Sequence, residues 1–238
     1  MTALQIAPGL SLRDPEPRPR LTDFKLIAFD MDSTLLAIET LDELADLAGR
    51  KAEVAALTEA AMQGEALDYA TSLRRRVALL AGLPAQAIDQ IWNERARLTP
   101  GAAALVQACQ AAGLRCILTT GGFTCFTERL AAQLRLDDVR ANVLEIVDGR
   151  ITGRLLDQPG SEGLCDGEAK KAKVLQTCAA MGITPAQAIT VGDGANDLAM
   201  MSVAGLSVAY RAKPVVRAQA RVAIDSGGLD RLLAVFAG

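Results

Sequence analysis

The sequence predicts an α/β fold in which helices cover both faces of a mostly parallel, doubly wound sheet, with a small helical domain inserted after the first strand. Short apolar runs of strand length recur along the chain, and several end at Gly, Asp or Thr just before a helical pattern begins. The interval 39–98 instead has helical periodicity and no convincing strand. Hydrophobic residues make up 50% of the chain and aromatic residues only 3%, which favours helices packed on aliphatic strands over an all-β sandwich.

Residues 1–22 differ in composition from the rest of the chain and are assigned to an N-terminal extension rich in Pro and Arg. They include Pro8, Pro15, Pro17 and Pro19 among arginines and acidic residues. Because proline fixes φ and lacks a backbone N–H, we expect this segment to be a flexible or extended lead-in to the first strand.

Five apolar runs are predicted to form strands of the α/β core, which we assign to residues 23–38 and 99–238. The runs are Leu26–Phe29, Leu114–Leu118, Ala188–Val191, Leu206–Ala209 and Val222–Ile224. A β-hairpin is expected within 144–155, because Asp148-Gly149 separates two β-prone stretches. Thr99-Pro100 and the capping box at 184–187 each predict the start of a helical segment.

Residues 39–98 are predicted to form a helical cap domain. Apolar residues recur at i, i+3, i+4 and i+7 near its start, and at helical spacing again further on. They are Leu41, Leu44, Ala45 and Ala48, followed by Leu73, Val77 and Leu80. Each stripe predicts an amphipathic helix with one buried face.

The chain contains no histidine, which excludes several kinds of site. Ser-His-Asp and Cys-His catalysis, phosphohistidine chemistry and His-ligated zinc or iron all need an imidazole. Catalysis would therefore depend on carboxylates, lysine, arginine, hydroxyls or thiols. A bound metal is expected to be a hard cation held by oxygen atoms.

Charge and cysteine content restrict the partners and the compartment. The net charge of −3 without a basic stripe argues against nucleic-acid binding. The five cysteines are odd in number and lack C-x-x-C spacing, so neither a disulfide framework nor a thiolate metal site is indicated. There is no secretory signal pattern and no apolar run of about 18 residues that could span a membrane. We expect a cytoplasmic protein that acts on a small molecule.

Two aspartates follow the first predicted strand directly. Ligands of open parallel sheets bind beyond the carboxyl ends of the strands, where Asp30 and Asp32 lie. Extended backbone would direct both side chains to one side, and carboxylates this close repel each other unless a cation or proton intervenes. An isolated D-x-D pair is more simply an acidic turn, with Ser33 or Thr34 capping a helix. The position after a buried strand favours a functional site.

Two further strand ends carry residues suited to phosphate or a cation. Thr120 and Gly121 would let a hydroxyl and backbone N–H groups approach a phosphate, although Thr-Gly-Gly is also an ordinary turn. Asp193, Asn196 and Asp197 follow another strand, with spacing that does not match an EF-hand loop.

Three lysines near Glu168 form a basic cluster, at positions 170, 171 and 173. Most lysines in such a cluster are solvated surface groups. We therefore expect at most one of them to serve a site.

Together, the D-x-D pair, the Thr-Gly element, a lysine and the G-D-x-x-x-D element resemble, in type and order, the motifs of the haloacid dehalogenase superfamily of phosphohydrolases. The resemblance covers roughly residues 24–236 and implies a Rossmann-like core with a small inserted cap. It implies that Asp30 attacks phosphorus and becomes an aspartyl-phosphate. Asp32 would protonate the leaving oxygen and then activate water. Thr120 replaces the Ser of many members but keeps the hydroxyl.

The resemblance also implies the remaining ligands of the phosphate and of a metal. The phosphate-binding residues would be Thr120, Gly121, Lys171 and Asn196. A Mg²⁺ ion would be held by Asp30, the backbone carbonyl of Asp32, and Asp193, with Asp197 in support behind them.

Within the superfamily, the cap resembles that of the members that hydrolyse L-phosphoserine in the last step of serine biosynthesis. This implies that Glu39 binds the substrate ammonium and Arg76 its carboxylate, because a guanidinium binds a carboxylate in bidentate fashion. Helical spacing also puts Arg76, rather than Arg74 or Arg75, closest to the apolar stripe.

Some assignments stay open at this point. Met62 and Tyr69 are expected either to line the substrate pocket or to belong to the cap core. The substrate could be another small phosphomonoester, or the phosphoryl group could pass to a second alcohol. A phosphate or metabolite sensor without catalysis is the alternative of another class, although binding alone does not need a second aspartate.

Overall fold

The computed structural model describes residues 3–62, 68–157 and 163–237. In these residues nine strands form one sheet, in the order β1-β2-β9-β8-β7-β3-β4-β5-β6. The strands are β1 (Ala3–Ala7), β2 (Leu10–Arg13), β3 (Leu26–Phe29), β4 (Arg115–Phe123), β5 (Asp138–Val147), β6 (Arg150–Leu156), β7 (Ala188–Gly192), β8 (Leu206–Tyr210) and β9 (Val222–Ile224). The predicted α/β fold with a mostly parallel sheet is confirmed.

The helices divide between the core and the insertion. The inserted helices are α1 (Thr40–Leu47), α2 (Lys51–Met62), α3 (Tyr69–Ala78) and α4 (Gln86–Glu94). The core helices are α5 (Ala102–Ala111), α6 (Thr124–Leu134), α7 (Gly167–Ala180), α8 (Leu198–Met201) and α9 (Pro214–Gln219). In the described part of the chain, none of these helices has the length and apolar character needed to cross a membrane.

Alternation along β3 buries both faces of the sheet. Ile27 and Phe29 belong to the larger apolar cluster, which contains side chains of α5 and α6. Leu26 and Ala28 pack in a second cluster with Val174 of α7. Because neighbouring residues of a strand point to opposite faces, four consecutive apolar residues give a strand covered on both sides.

The register of the central strands brings their carboxyl ends to one level. Phe29 is the Cα partner of both Leu118 in β4 and Val191 in β7. The residues that follow these three positions therefore emerge side by side at one edge of the sheet.

The inserted helices join the core through two antiparallel chain segments. Leu36 and Leu98 form an isolated bridge, where the chain enters and leaves the cap. The cap also contacts the β5–β6 hairpin, since Gly82 N donates to Ile151 O at 2.8 Å and Ile151 N donates to Leu83 O at 2.9 Å. The apolar stripes predicted for the cap are buried at Leu41, Leu44, Ala45, Leu73, Val77 and Leu80.

Residues 3–13 belong to the core sheet, so the predicted boundary between an N-terminal extension and the core at residue 22 is corrected. β1 and β2 pair antiparallel, and β2 pairs with β9, so this segment continues the core sheet. Arg18 Nε donates to Val235 O at 2.8 Å, which ties the Pro-rich segment to the C-terminal end of the chain. Arginines that reach backbone carbonyls thus hold the extension on the core.

Of the predicted turns and helix starts, the hairpin and the capping box are confirmed and the start at Thr99-Pro100 is wrong. The hairpin is present, with Val147 opposite Arg150 across the Asp148-Gly149 turn. The capping box at 184–187 is also present, on a 3₁₀ turn. The predicted start at Thr99-Pro100 is wrong, because α5 begins at Ala102 with Gly101 as N-cap at φ +78°. Glycine adopts this left-handed backbone without steric cost.

Candidate active site

The loop after β3 directs two aspartates into the site. Asp30 N donates to Val191 O at 2.9 Å, so this residue is still anchored to β7. The chain then makes one wide turn over Met31–Leu35, in which Asp32 keeps an extended backbone and Ser33 has φ +53°. The local fold therefore presents Asp30 and Asp32 beyond the end of a buried strand, as the sequence predicts.

A buried lysine connects two carboxylates beneath the site. Lys170 Nζ donates to Asp30 Oδ1 and to Asp197 Oδ1, each at 2.7 Å. The side chains of Lys170 and Asp197 are fully buried. Burial opposes the charged ammonium, but the carboxylates of Asp197 and Asp30 outweigh it and hold the pKa of Lys170 well above its usual value.

The prediction that Lys171 serves the site is therefore corrected to Lys170. The Lys171 ammonium lies 3.4 Å from Glu168 on the outer side of α7. The buried face of α7 consists of Lys170, Val174, Thr177 and Cys178, spaced at i, i+4, i+7 and i+8. This apolar spacing was the available signal for choosing between the neighbouring lysines, because it directs position 170 towards the sheet.

Asp197 is held by backbone as well as by the lysine. Its Oδ2 accepts hydrogen bonds from the N–H groups of Asp193 at 3.1 Å and Gly194 at 3.0 Å. A Cβ at Gly192 would lie 2.2 Å from this Oδ2, so the close approach requires glycine. Both oxygens of Asp197 are thereby engaged, and this residue supports the 193–194 peptide.

Three carboxylates form a cluster that could hold a metal ion. One oxygen from each of Asp30, Asp193 and Asp197 lies within 4.8 Å of the others. Burial and the charges of Asp30 and Asp197 raise the pKa of Asp193 to about 8. Lys170 thus does not neutralise the cluster fully. The donors are hard oxygen atoms, which suit Mg²⁺. Lys170 binds one oxygen of Asp30 and Thr34 binds one oxygen of Asp193, so each carboxylate retains a second oxygen.

Burial and neighbouring carboxylates favour the protonated form of Asp32, whereas hydrogen bonds from Thr40 favour its ionised form. Its carboxylate accepts hydrogen bonds from Thr40 N at 3.2 Å and Thr40 Oγ1 at 3.1 Å. Burial, then the charges of Glu39 and Asp30, raise the pKa of Asp32 well above its usual value. A carboxylic acid of this kind can donate a proton to a leaving oxygen.

The glycine-rich end of β4 forms the opposite side of the site. Gly122 N donates to Thr120 Oγ1 at 3.0 Å, which uses the acceptor side of this hydroxyl and leaves its proton for a ligand. A Cβ at Gly121 would lie 2.0 Å from Tyr69 Oη, so the cap packs closely over this loop. Tyr69 both lines the cavity and contacts the apolar core.

One cavity of about 590 Å³ between cap and core contains most of the predicted site residues. Those that line it are Asp30, Asp32, Glu39, Tyr69, Arg76, Thr120, Gly121, Asp193 and Asn196. Lys171 lies outside it, and Asp197 is buried behind its wall. The side chain of Met62 lies outside the described part of the structure.

The cap contributes two residues of opposite charge to this cavity. Ser33 Oγ donates to Glu39 Oε1 at 2.7 Å. Arg76 is half-buried and donates through Nε to Ser72 O at 3.4 Å, whereas Arg74 and Arg75 are exposed. The predicted choice of Arg76 from the helical spacing agrees with these exposures.

Several site residues have no clear signal in the sequence. Thr34 donates to Asp193 Oδ1 at 3.4 Å, and Thr40 binds Asp32. Lys213 lies at the cavity wall, and its N–H donates to Asp193 O at 3.1 Å. Thr34 and Lys213 reach the site through contacts between segments that are distant in sequence. The position of Thr40 is instead fixed by the turn before α1.

Comparison with known proteins agrees with this geometry. A family model described as haloacid dehalogenase-like hydrolase matches residues 27–202. The chain belongs to the haloacid dehalogenase-like hydrolases. Its match includes the β3, β4, α7 and β7 segments that carry the site of this hydrolase.

Individual relatives of this hydrolase share a name. A phosphoserine phosphatase of Polaromonas sp. (strain JS666 / ATCC BAA-500) is 60% identical over 233 residues, which are 98% of each chain. The structure of a probable phosphoserine phosphatase from Vibrio cholerae has a TM-score of 0.79 and 40% identity, over 94% of this chain and 67% of that one. A phospho-aspartyl intermediate analogue of phosphoserine phosphatase has a TM-score of 0.81 and 35% identity, over 90% of this chain and 99% of that one.

Proposed function

We propose that this chain hydrolyses L-phosphoserine to L-serine and phosphate through an aspartyl-phosphate on Asp30. The observation that carries the proposal is the chemistry of a single cavity. Its floor contains Asp30 and Thr120, which would bind a phosphate, and its cap wall contains Glu39 and Arg76, which would bind an ammonium and a carboxylate. The shared name of the relatives supports the same substrate.

In the first step, Asp30 acts as the nucleophile. Because Lys170 binds Oδ1, we assign the attack on phosphorus to Oδ2. The new O–P bond forms as the ester O–P bond breaks, and Asp32 gives its proton to the departing serine oxygen. The raised pKa of Asp32 supports this assignment as the acid.

In the second step, the now ionised Asp32 takes a proton from water. The water oxygen forms a bond to phosphorus, the bond to Asp30 breaks, and phosphate is released with both aspartates restored. Thr120 donates its hydroxyl proton to a phosphate oxygen throughout. Lys170 remains bound to Asp30 and Asp197 and offsets the negative charge beneath the reacting atoms.

We include Mg²⁺ in the proposal, held by Asp30, Asp193 and the Asp32 backbone carbonyl. When bound, this ion would offset the repulsion between an anionic nucleophile and an anionic phosphate. The donor set fits a hard cation, since it offers oxygen atoms and neither imidazole nor thiolate.

Recognition of the serine moiety is assigned to the cap. A guanidinium at Arg76 matches a carboxylate in bidentate fashion, and the carboxylate of Glu39 matches an ammonium. We further propose that the enzyme works in the cytoplasm, in the last step of serine biosynthesis. The five free thiols fit a reducing compartment.

The test is phosphate release from a panel of small phosphate esters, with Mg²⁺ and with chelator. The panel contains L-phosphoserine, phosphothreonine, a phosphorylated alcohol without amino or carboxyl group, and p-nitrophenyl phosphate, with a second alcohol added in parallel as acceptor. We expect L-phosphoserine to have the highest kcat/KM and chelator to abolish turnover. Higher kcat/KM for another ester, or transfer to the alcohol in place of hydrolysis, would contradict the proposal. Binding without turnover would indicate a sensor.

A further inference from the structure

Asn142 lies where β5 changes its pairing partner. Up to Asn142, β5 pairs with β4, and from Val143 onwards it pairs with β6. The side chain of Asn142 is only 3% exposed. A primary amide buried in this way needs partners for its donor and acceptor groups.

Both ends of the Asn142 amide bind backbone groups near the site. Nδ2 donates to Gly121 O at 2.8 Å, and Oδ1 accepts from Cys165 N at 2.8 Å. A carbonyl accepts and an N–H donates, so these partners fix the orientation of the amide. One side chain thus connects two segments that are distant in sequence.

The first segment is the loop that would bind phosphate. The β4–β5 register changes from Thr119 opposite Arg140 to Phe123 opposite Asn142, so residues 120–122 bulge out of the ladder. The carbonyl of Gly121 and the N–H of Gly122 belong to one peptide unit. Asn142 holds that carbonyl, and Thr120 Oγ1 holds that N–H at 3.0 Å. The peptide is therefore held at both ends, and with it the position of Thr120 Oγ1.

The second segment leads to the buried lysine. Asp166, which follows Cys165, caps α7 by accepting from Ala169 N at 2.8 Å. The next residue of the helix is Lys170, whose ammonium binds Asp30. Holding Cys165 N therefore fixes the start of the helix that positions this ammonium.

We propose that Asn142 is a positioning residue that keeps the phosphate-binding loop and the lysine-bearing helix in register with each other. Its amide supplies the donor that the bulged loop needs and the acceptor that the segment before α7 needs. The reaction that it serves is the one proposed above, but phosphate binding can be measured without knowing the natural ester.

Three substitutions of Asn142 differ in which of its two hydrogen bonds they remove. Asn142→Leu keeps the shape and removes both hydrogen bonds. Asn142→Asp keeps the acceptor and turns the donor end into an oxygen that faces Gly121 O. Asn142→Ser shortens the side chain but keeps a polar hydroxyl, and it keeps the test available if the others do not fold. The matched control is Ser207→Ala, because Ser207 is also buried and its Oγ accepts from Arg221 N at 3.0 Å, away from the cavity.

The measurements are thermal unfolding, kcat for p-nitrophenyl phosphate, and inhibition by inorganic phosphate and by L-serine. In the Asn142 variants we expect kcat to fall about tenfold or more and the phosphate inhibition constant to rise by as much, because loop misplacement of this kind weakens phosphate contacts. The L-serine inhibition constant should stay within about twofold, since the serine end is held by the cap. Ser207→Ala should lose thermal stability without changing either kinetic constant.

Two outcomes would overturn the role of Asn142. One is a folded variant whose kcat and phosphate inhibition constant match the wild type. The other is an equal rise in the phosphate and L-serine constants, which would indicate general loosening. A wild-type enzyme that hydrolyses p-nitrophenyl phosphate but not L-phosphoserine would contradict the proposed function and leave the role of Asn142 unaffected.

Discussion

The floor of the cavity and its cap wall are built in different ways. Asp30, Lys170 and Asp197 on the floor are at most 5% exposed and are bonded to one another. On the cap wall, Glu39 is exposed and Arg76 is half-buried. The groups assigned to phosphorus chemistry are thus buried and bonded to one another, and those assigned to substrate recognition are more exposed.

The difference in burial has an energetic consequence. Charges on the floor interact through protein with little screening, so removing one of them leaves a buried partner unpaired. Charges on the wall are more accessible to water and salt than those on the floor, which weakens each interaction. Substitutions on the floor should therefore affect kcat strongly for every ester, and those on the wall should affect KM for the specific substrate.

Asp30→Asn is expected to have the largest effect. Without the carboxylate nucleophile, kcat should fall about 10⁴-fold or more for L-phosphoserine and for p-nitrophenyl phosphate alike. Steady-state phosphate release measures it, with circular dichroism as the check on folding. Activity within tenfold of wild type would remove Asp30 from its assigned role.

Lys170→Met, compared with a substitution of the neighbouring Lys171, tests the role of the buried lysine on the cavity floor. We expect kcat to fall about 10²- to 10³-fold, because an oriented cation is lost beside the nucleophile. Unpairing the buried Asp30 and Asp197 should also cost about 3–5 kcal/mol of unfolding free energy, measured by denaturant unfolding. Lys171→Ala is the matched control and should change neither quantity appreciably. The opposite ranking of the two lysines would contradict the geometry of α7.

Arg76→Lys tests the wall. Replacing a bidentate guanidinium by a single ammonium should raise KM for L-phosphoserine about 10- to 100-fold. KM for p-nitrophenyl phosphate, which has no carboxylate, should stay nearly constant. Arg75→Lys is the control on the exposed side of α3. Equal changes in KM for both esters would show that Arg76 does not bind the carboxylate.

Lys213→Ala should have the smallest effect. This exposed lysine lines the cavity at the core side, where its charge would attract an anionic substrate. We expect KM for L-phosphoserine to rise roughly two- to fivefold at low ionic strength. The difference from wild type should disappear in high salt, as measured in parallel titrations. A salt-independent effect would indicate a direct contact instead.

The sequence predicts the parts of the site that follow from strand ends. Asp30, Thr120 and Asp193 each come after an apolar run, and the register brings these runs level, so their convergence is foreseeable. The periodicity of apolar residues in α7 favours Lys170 as the buried lysine, whereas the motif spacing favours its neighbour Lys171. The sequence does not predict the role of Asn142, because its hydrogen-bond partners depend on where β5 stops pairing with β4.

The fold divides in the same way. The strands, the β5–β6 hairpin and the cap stripes follow from local patterns of apolar and turn residues. The two strands of the N-terminal extension do not follow from local patterns, because its prolines argue against strands. These strands are stabilised by the pairing of β2 with β9. Pairing between the two ends of a chain has no signal in local composition.

In the proposed mechanism, Asp30 carries the phosphoryl group between the two steps. The most direct measurement is acid quenching of the enzyme during turnover of L-phosphoserine with Mg²⁺, followed by mass spectrometry of the peptide that contains Asp30. We expect a peptide heavier by one phosphoryl group, with the modification on Asp30, and we expect no such peptide from the Asp30→Asn variant. A phosphorylated residue elsewhere, or steady phosphate release with no phosphorylated Asp30 at any quench time, would contradict it.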